Sequence, residues 1–365
     1  MKILLVSGIY RPDIGGPATY LPHLAEYLIS EGHSVVVVTL KSASNQSISE
    51  KWPVVHINRN QLLPLRFIKT FFVLLYYAKQ SDRLFANGLY QECGLVLRIV
   101  KLPSVAKVVG DPVYERMINR HKVNIGRIDF QKSELKISQK LQRAFLEFTL
   151  NSFDNLTCPS LELFTIIKSW KVKRPIFVIP NGVHGIVRKN RHQKYDVVSV
   201  SRLIPLKNID LLIKACSLKQ FKLAIVGDGP EAKKLQVLAK TIGADVKFFG
   251  PLQENQVTRV LEESKIFALI SEYEGLSYAL LHAMALGLPP IVSATRGNLD
   301  VIKHGIDGLV VETNDIENIT QAITKLVASR ELRQKIGSAA KLKTEKYYTL
   351  KIQNKKILKL LELEQ

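Results

Sequence analysis

Cysteine is scarce in this sequence, and the few cysteines present form no recognisable pair. Cys93, Cys158 and Cys216 are the only three in 365 residues, and none belongs to a C-x-x-C motif. This spacing excludes a disulfide framework and a cysteine-based zinc or redox site as organising features. We expect three buried thiols in a reducing compartment.

Long apolar runs are also missing. The longest uncharged apolar run of the N-terminal half, residues 71–78, is far short of the roughly 20 residues that a spanning helix needs. The opening MKILLVSGIYRP breaks into Tyr-Arg-Pro where a secretion signal would remain apolar, so we predict a first strand there. These features favour a cytoplasmic protein.

Two ligand-binding signatures are absent. No G-x-G-x-x-G motif follows a predicted strand, which excludes a nicotinamide dehydrogenase built on the dinucleotide fingerprint. No Asp-x-Asp triplet occurs either, so nothing in the sequence predicts a metal site or a cofactor.

Acidic residues are outnumbered, 32 against 52 Lys and Arg, which gives a formal charge of +20. The densest basic segment is 116–143, and a second segment, 62–80, is apolar with flanking cations. Such surfaces attract phosphate, anionic lipid or nucleic acid. No aromatic stacking platform or zinc motif accompanies them, so nucleic acid is not the expected partner. Two interpretations stay open: contact with an anionic membrane, or ordinary solvated helix faces.

Short apolar and β-branched runs alternate with helical patterns along the whole chain. The predicted strands are 2–7, 34–39, 54–57, 83–87, 104–109, 155–160, 175–180, 196–201, 222–227, 246–250, 266–271, 289–294 and 308–312. Continuously apolar strands separated by helices are typical of parallel sheets covered on both faces. The length suits two domains, and the polar stretch 188–194 separates them.

We therefore predict an α/β protein of two doubly wound, Rossmann-like domains that face each other across a cleft. The predicted bounds are 1–186, 187–346 and a final helical segment, 347–365, that packs back near the N-terminal domain. Open parallel sheets bind ligands at the carboxyl ends of their strands, so we expect the ligand between the domains.

Two loops of the N-terminal half are candidates for binding. Gly15 and Gly16 precede a helix, where glycine lets a phosphate or sugar approach the backbone and the helix N-terminus favours anions. A flexible glycine turn is the alternative. Asp111 follows a strand and precedes Pro112, so it either caps a helix or contacts a ligand.

Two loops of the C-terminal half carry complementary features. Arg202 and Lys207 flank a loop between a strand and a helix, where two cations can neutralise a diphosphate, although exposed lysines are common. Gly227 and Gly229 form a Gly-Asp-Gly turn, which is good turn chemistry and also a flat floor for a base or sugar.

The stretch SEYEGLSYALLHAMALGLPPIV, 271–292, places Glu274 before an apolar helix that contains His282. Backbone N–H groups at the helix start suit a phosphate, and the carboxylate can accept hydrogen bonds from hydroxyls. Alternatively, Glu274 only complements the helix dipole, and His282 is a core histidine.

Several motifs in register resemble those of the family 4 retaining glycosyltransferases of GT-B fold. The matching segments are GGPATYL (15–21), PNGV (180–183), SRLIPLKNIDLLIKA (201–215), IVGDGPE (225–231), FFGPL (248–252), SEYEGLSYALLHAMALGLPPIVSA (271–294) and GNLDVIKHGIDGLVV (297–311). The resemblance covers nearly the whole chain and is strongest over 195–330.

The resemblance implies a sugar transfer with retention, from a UDP- or GDP-linked donor to a glycan, a lipid-linked or another hydroxyl acceptor, without a metal. It assigns the donor diphosphate to Arg202 and Lys207 and the donor sugar hydroxyls to Glu274. The remaining implied donor-binding residues are Gly16, Gly227, Gly229, Leu252, Gly275, Leu276, Ser277 and His282.

The chain departs from the family pattern at two places. His282 stands where the pattern has a second Glu for the ribose, and a neutral imidazole can accept one hydrogen bond and donate another. Gly110-Asp111 stands where many members have a His, so Asp111 becomes a candidate for contact with the donor sugar. A catalytically impaired protein that binds nucleotide-sugar or glycan is therefore the alternative function.

Overall fold

A computed structural model describes residues 1–13, 15–41, 50–121, 127–189 and 191–363, without the side chains of 118–121, 127 and 128. The chain divides into two compact units. The N-terminal unit comprises Met1–Pro180 and Gln353–Gln365, and the C-terminal unit comprises Asn181–Ile352. The structure thus divides the chain after Pro180, whereas the sequence-based boundary lies between 186 and 187.

The N-terminal unit is a parallel sheet of seven strands with helices between them. Its elements are β1 Lys2–Ser7, α1 Gly16–Ser30, β2 Ser34–Lys41, β3 Val54–Asn58, α2 Leu63–Ala78, β4 Arg83–Asn87, α3 Tyr90–Ile99, β5 Ser104–Lys107, α4 Pro112–His121, α5 Arg127–Lys132, α6 Ile137–Leu150, β6 Asn155–Cys158, α7 Leu161–Lys168 and β7 Ile176–Val178. The strand order is β3-β2-β1-β4-β5-β6-β7, and all pairs are parallel.

The two faces of this sheet are covered by different helices. Leu4, Val6, Leu84 and Ala86 belong to a core that also includes Leu74 of α2 and residues of α3 and α6. The alternate strand residues face the other way, where the ring of Phe85 meets that of Tyr20 on α1 at 6.3 Å. Burial on both faces explains why these strands read as unbroken apolar runs.

The C-terminal unit contains a second parallel sheet of six strands. Its elements are β8 Tyr195–Val200, a 3₁₀ turn Pro205–Lys207, α8 Ile209–Ser217, β9 Leu223–Val226, α9 Ala232–Thr241, β10 Val246–Phe248, α10 Glu254–Glu262, β11 Ser264–Leu269, α11 Tyr278–Ala285, β12 Pro290–Ser293, α12 Arg296–Leu299, β13 Leu309–Val311, α13 Ile316–Ala328, α14 Arg330–Tyr347 and α15 Leu350–Glu362. The strand order is β10-β9-β8-β11-β12-β13.

The last helix, α15, crosses the division of the chain. From Gln353 onward it belongs to the N-terminal unit, where Arg83 Nε donates a hydrogen bond to the Leu361 carbonyl at 2.6 Å. Among the described residues, no helix combines the length and apolar character that a membrane span requires.

The prediction of two doubly wound α/β domains is confirmed. Each of the thirteen predicted strands has its counterpart in β1 to β13, with ends that differ by a few residues. Both sheets are parallel throughout, as the continuous apolar runs predicted.

Candidate functional site

The loops after β8 and β11 flank the point at which the strand order of the C-terminal sheet reverses. From β8 the chain continues to β9 and β10 on one side, whereas β11 leads to β12 and β13 on the other. Doubly wound sheets bind ligands at the carboxyl ends of their strands at such a switch point. Lys207 comes from the first of these loops and Glu274 from the second, so the two are brought together here.

Lys207 and Glu274 form an ion pair that is largely shielded from solvent. Lys207 Nζ donates to Glu274 Oε1, which also accepts from Ser271 Oγ at 2.8 Å. Glu274 is only 7% exposed. Its second oxygen, Oε2, has no hydrogen-bond partner among the described residues. The carboxylate is therefore held through one oxygen, and the other can accept hydrogen bonds from a ligand hydroxyl.

A buried chain of hydrogen bonds fixes this carboxylate from below. Asn298 Nδ2 donates to the Ser293 carbonyl at 3.0 Å, and Ser293 Oγ donates to the Ser271 carbonyl at 2.5 Å. Ser271 then holds Glu274 as described above. Because Asn298, Ser293 and Ser271 are all buried, these bonds do not compete with water and orient the side chain strongly.

The backbone around Glu274 is fixed on both sides. On one side, the Glu272 N–H donates to the Leu206 carbonyl at 2.9 Å, which joins this loop to the 3₁₀ turn that carries Lys207. On the other side lies Gly297 of α12, where any Cβ would overlap the carbonyl oxygens of Glu274 and Gly275. Only glycine permits this approach.

The start of α11 presents unused backbone donors. Ser277 is the N-cap residue, and its Oγ accepts from the Leu280 N–H at 3.3 Å. The N–H groups of Gly275, Leu276 and Ser277 donate to no other described residue. Asn181 fixes this turn because its Nδ2 donates to the Leu276 carbonyl at 2.9 Å. Free N–H groups at a helix N-terminus favour a bound anion.

Arg202 is a second cation of this site. It is exposed, and its guanidinium makes neither an ion pair nor a hydrogen bond within the described part of the chain. The strand β8 precedes both Arg202 and Lys207. A cation without an internal partner can bind a phosphate without first breaking a contact.

Gly227 and Gly229 hold the loop after β9 against the loop that carries Arg202. A Cβ at Gly227 would overlap the Ser201 carbonyl oxygen, and one at Gly229 would overlap that of Leu203. Gly227 also has a φ of 130°, in the region that favours glycine. The Leu203 N–H donates to the Asp228 carbonyl at 2.9 Å. These two glycines therefore have a structural reason to be glycine, whether or not they also contact a donor.

Leu252 lies in the loop between β10 and α10, half-buried against the apolar cluster that includes Leu276 and Leu280. Its side chain thus continues the apolar surface behind the start of α11. The side chain of Leu252 carries no polar atom, so its contact with a nucleotide would be apolar.

His282 is buried inside α11 and bonded to α10. Its Nε2 lies 3.0 Å from Thr258 Oγ1, a hydroxyl that can also donate to the Glu254 carbonyl at 2.8 Å. Which of the two groups donates depends on the imidazole tautomer, so this contact fixes the ring without fixing the position of its proton. Burial lowers the pKa of His282 below 6.5, and Glu254 only partly opposes this effect. The imidazole is neutral at pH 7.

Asp111 and Gly16 lie in the N-terminal unit. Gly16 begins α1, after the loop that follows β1. Asp111 is fully buried at the start of α4. Its Oδ1 accepts from the N–H groups of Val113 and Tyr114, and its Oδ2 accepts from Gln131 Nε2 at 2.8 Å and Arg143 Nη2 at 2.5 Å. These contacts describe a helix cap and a buried ion pair, so both carboxylate oxygens are already occupied.

Sequence analysis missed the residues that hold the site in place. Ser271, Ser293 and Asn298 were assigned no role, although all three lie within matched motifs, as does Asn181 in PNGV. The one sequence signal for such a role was the position of Ser271, three residues before Glu274. The sequence also gave no role to Lys107 of β5, whose pKa is lowered to about 7 by burial and whose Nζ lies 4.0 Å from the Tyr20 ring centroid.

Metal ligands were not predicted, and the described residues contain no group of three or more His, Cys, Asp or Glu side chains arranged to hold a metal ion.

The contacts of Asp111 generate a prediction about stability. Replacing Asp111 with Ala leaves Arg143 buried without its counter-ion, so the free energy of unfolding of the N-terminal unit should fall by about 3–5 kcal/mol. Both tryptophans, Trp52 and Trp170, belong to this unit, so fluorescence in a urea titration reports it selectively. Asp129→Ala, at an exposed carboxylate, is the control. A change below about 0.5 kcal/mol for Asp111→Ala would contradict the assigned role.

The surroundings of His282 generate a second prediction. Two-dimensional ¹H–¹⁵N imidazole spectra should show a predominantly neutral ring at pH 6.5. Because the folded-state pKa lies below the unfolded one, the unfolded chain binds more protons, and the C-terminal unit should lose stability as pH falls below about 6.5. His282→Gln should lack this part of the pH dependence. A ring that is predominantly charged at pH 6.5 would refute this description.

Comparisons with known proteins relate part of the C-terminal unit to one family by sequence. A family model described as glycosyl transferases group 1 matches residues 186–343. The sulfoquinovosyl transferase SQD2 of Arabidopsis thaliana is 32% identical over 166 residues, which cover 43% of this chain and 32% of SQD2. The chain spans 22% to 58% of the length of five such curated relatives.

Two solved structures share the whole architecture. Sucrose-phosphate synthase from Thermosynechococcus elongatus superposes with a TM-score of 0.80 at 19% identity, over 98% of each chain. HepE of Anabaena, in complex with UDP and glucose, does so with a TM-score of 0.80 at 18% identity, over 99% of each chain. At these identities the likeness shows the fold. Residues 186–343 thus match the family model of glycosyl transferases group 1, within a chain of GT-B architecture.

Proposed function

We propose that this protein transfers a sugar from a nucleotide-sugar donor to a hydroxyl acceptor. The observation that carries the proposal is the arrangement at the start of α11. There, Glu274 keeps one carboxylate oxygen open beside Lys207 and three unused backbone N–H groups. An acceptor of hydroxyl protons next to a set of anion donors fits a sugar joined to a diphosphate.

Departure of a nucleoside diphosphate develops negative charge, which the site is built to stabilise. Lys207 Nζ and the N–H groups of Leu276 and Ser277 meet that charge, and Arg202 supplies a second cation. Fixed donors stabilise a transition state without reorganisation, which is worth about 10² to 10³ in rate for a single donor. On donor binding, Lys207 exchanges part of its contact with Glu274 for the phosphates.

The donor sugar is bound by Glu274, whose open Oε2 accepts from its hydroxyls. We further propose that the anomeric configuration is retained, that no metal takes part, and that the donor is UDP- or GDP-linked. HepE, a structural neighbour, was solved with UDP and glucose, which supports a UDP-linked donor. Gly227, Gly229 and Leu252 would line the nucleotide.

We propose a glycan or lipid-linked acceptor and a cytoplasmic enzyme that contacts the anionic membrane surface peripherally. Relatives with names from glycolipid and polysaccharide synthesis support this class. They include the sulfoquinovosyl transferase SQD2 and the amylovoran biosynthesis glycosyltransferase AmsK of Erwinia amylovora.

One observation favours a second candidate, a protein that binds nucleotide-sugar without turnover. His282 stands where the family resemblance implies a carboxylate for the ribose, and the imidazole is already bonded to Thr258. Only one ring nitrogen, Nδ1, is left for a ligand, whereas a carboxylate would offer more acceptor sites. This protein would bind the donor weakly and release no sugar.

A donor screen tests the proposal. Purified protein is incubated with UDP-, GDP- and ADP-sugars, and release of nucleoside diphosphate and thermal stabilisation are measured. We expect one donor class to be hydrolysed slowly, with Glu274→Gln and Lys207→Met each lowering kcat/KM by roughly 10² or more.

Lys214→Met is the matched control, because Lys214 pairs with Asp210 on the same helix and takes no part in the site. Release unchanged within about twofold in both site variants would refute the roles proposed above. The donor could instead stabilise the wild-type protein without release of nucleoside diphosphate, with release appearing only in His282→Glu. That result would establish the second candidate.

A further inference from the structure

The exposed face of α2 is apolar rather than polar. Leu65, Ile68, Phe72 and Tyr76 lie three or four residues apart, so they form one stripe along the helix, and each is between 54% and 61% exposed. We refer to these four side chains as the α2 stripe. The opposite face, with Thr70, Leu74 and Ala78, is buried against the sheet. A helix that is apolar on both faces is not expected to leave one of those faces exposed to water.

A second stripe with the same character lies on α6. Ile137, Leu141, Phe145 and Phe148 are between 40% and 78% exposed, again at spacings of three or four residues. We refer to these as the α6 stripe. The two helices approach each other at one point, because the ring of Phe67, which lies on α2 outside the stripe, is 6.4 Å from the ring of Phe145 in the α6 stripe.

Cations accompany both stripes. Lys69 and Lys79 flank the α2 stripe, and Lys136 and Lys140 flank the start of the α6 stripe, all exposed. Arg98 of α3 stacks on the Phe148 ring at 3.6 Å. No acidic residue occurs between Glu50 and Asp82 in the sequence. The α2 stripe therefore has cations and no acidic residue in its own segment, whereas the α6 stripe has Glu134 and Glu147 beside its lysines.

The structure also limits how much of the basic segment 116–143 can contribute to this surface. Arg143 is buried and paired with Asp111, so it contributes nothing to the surface. Residues 122–126 lie outside the described residues, and the side chains of 118–121, 127 and 128 are not described. The start of α6 is a described part of this segment that is both basic and apolar.

We propose that the α2 and α6 stripes together dock onto the surface of an anionic phospholipid bilayer. Apolar and aromatic side chains enter the boundary between headgroups and acyl chains, while the lysines contact lipid phosphates. A second copy of this chain is a poorer occupant, because an isologous contact would set these lysines against their own copies in a protein of charge +20. The inference does not depend on sugar transfer, since docking needs neither donor nor acceptor.

Vesicle flotation with the full chain and no substrate tests docking directly. We expect binding to phosphatidylcholine vesicles with about 30% phosphatidylglycerol, weaker binding to pure phosphatidylcholine, and release at about 0.5 M salt. Ile68→Ser/Phe72→Ser should lower the ratio of bound to free protein at least about tenfold. Val237→Ser/Leu342→Ser, at equally exposed positions of the C-terminal unit, is the control and should stay within about twofold.

A tryptophan placed in the stripe identifies the docking face independently. Trp52 and Trp170 are both buried, so Phe72→Trp adds an exposed reporter. Vesicles should shift its emission to the blue, and brominated lipid should quench it, whereas Leu342→Trp should show neither effect. Circular dichroism melts establish that each variant is folded.

Four results would overturn the proposal. The wild-type chain could fail to float with anionic vesicles at low salt. The Ile68→Ser/Phe72→Ser variant could float as well as the wild type does. The Phe72→Trp reporter could remain unquenched by brominated lipid. Finally, sedimentation could show that the same serine variant converts a dimer into a monomer without any vesicle binding, which would assign the surface to a second copy.

Discussion

The candidate site depends on the orientation of one buried carboxylate. Glu274 is held by Lys207 and by Ser271, and Ser271 is in turn held through Ser293 by Asn298. Ser271, Ser293 and Asn298 are buried, so the Glu274 side chain keeps one rotamer and one open oxygen before any ligand arrives. Removing the Lys207–Glu274 ion pair from water costs free energy. The attraction between the two groups offsets that cost only while their geometry is kept. The glycines at 227, 229 and 297, which bring the surrounding loops together, serve that geometry.

Two acidic residues in similar sequence contexts differ in the hydrogen bonds they accept. Asp111 and Glu274 each follow a strand and precede a helix. Asp111 accepts four hydrogen bonds and is saturated, whereas Glu274 keeps Oε2 open. The difference lies in Arg143, which is distant in sequence and reaches Asp111 only after α6 has packed. A carboxylate with an open oxygen is the one suited to bind a ligand.

Most of the fold could be predicted, because the strands are buried on both faces and read as unbroken runs such as SVVVVT and KLAIVG. The positions of Lys207 and Glu274 followed from loops at the carboxyl ends of such strands. The partners of Asp111, the Thr258 contact of His282 and the chain through Asn298 could not be predicted, since each joins residues that only the folded chain brings together. The apolar segment 62–80 was identified in the sequence, but which of its side chains are exposed could not be predicted, for a related reason. Hydrophobic periodicity gives a stripe, but burial decides which side is covered.

The most direct test of this account is a crystal structure of the protein soaked with the nucleoside diphosphate of its donor. The account predicts that the diphosphate lies within hydrogen-bonding distance of the Leu276 and Ser277 N–H groups and of Lys207 Nζ, with Glu274 in its present orientation. A diphosphate bound elsewhere, with the start of α11 unoccupied at a saturating concentration, would contradict it.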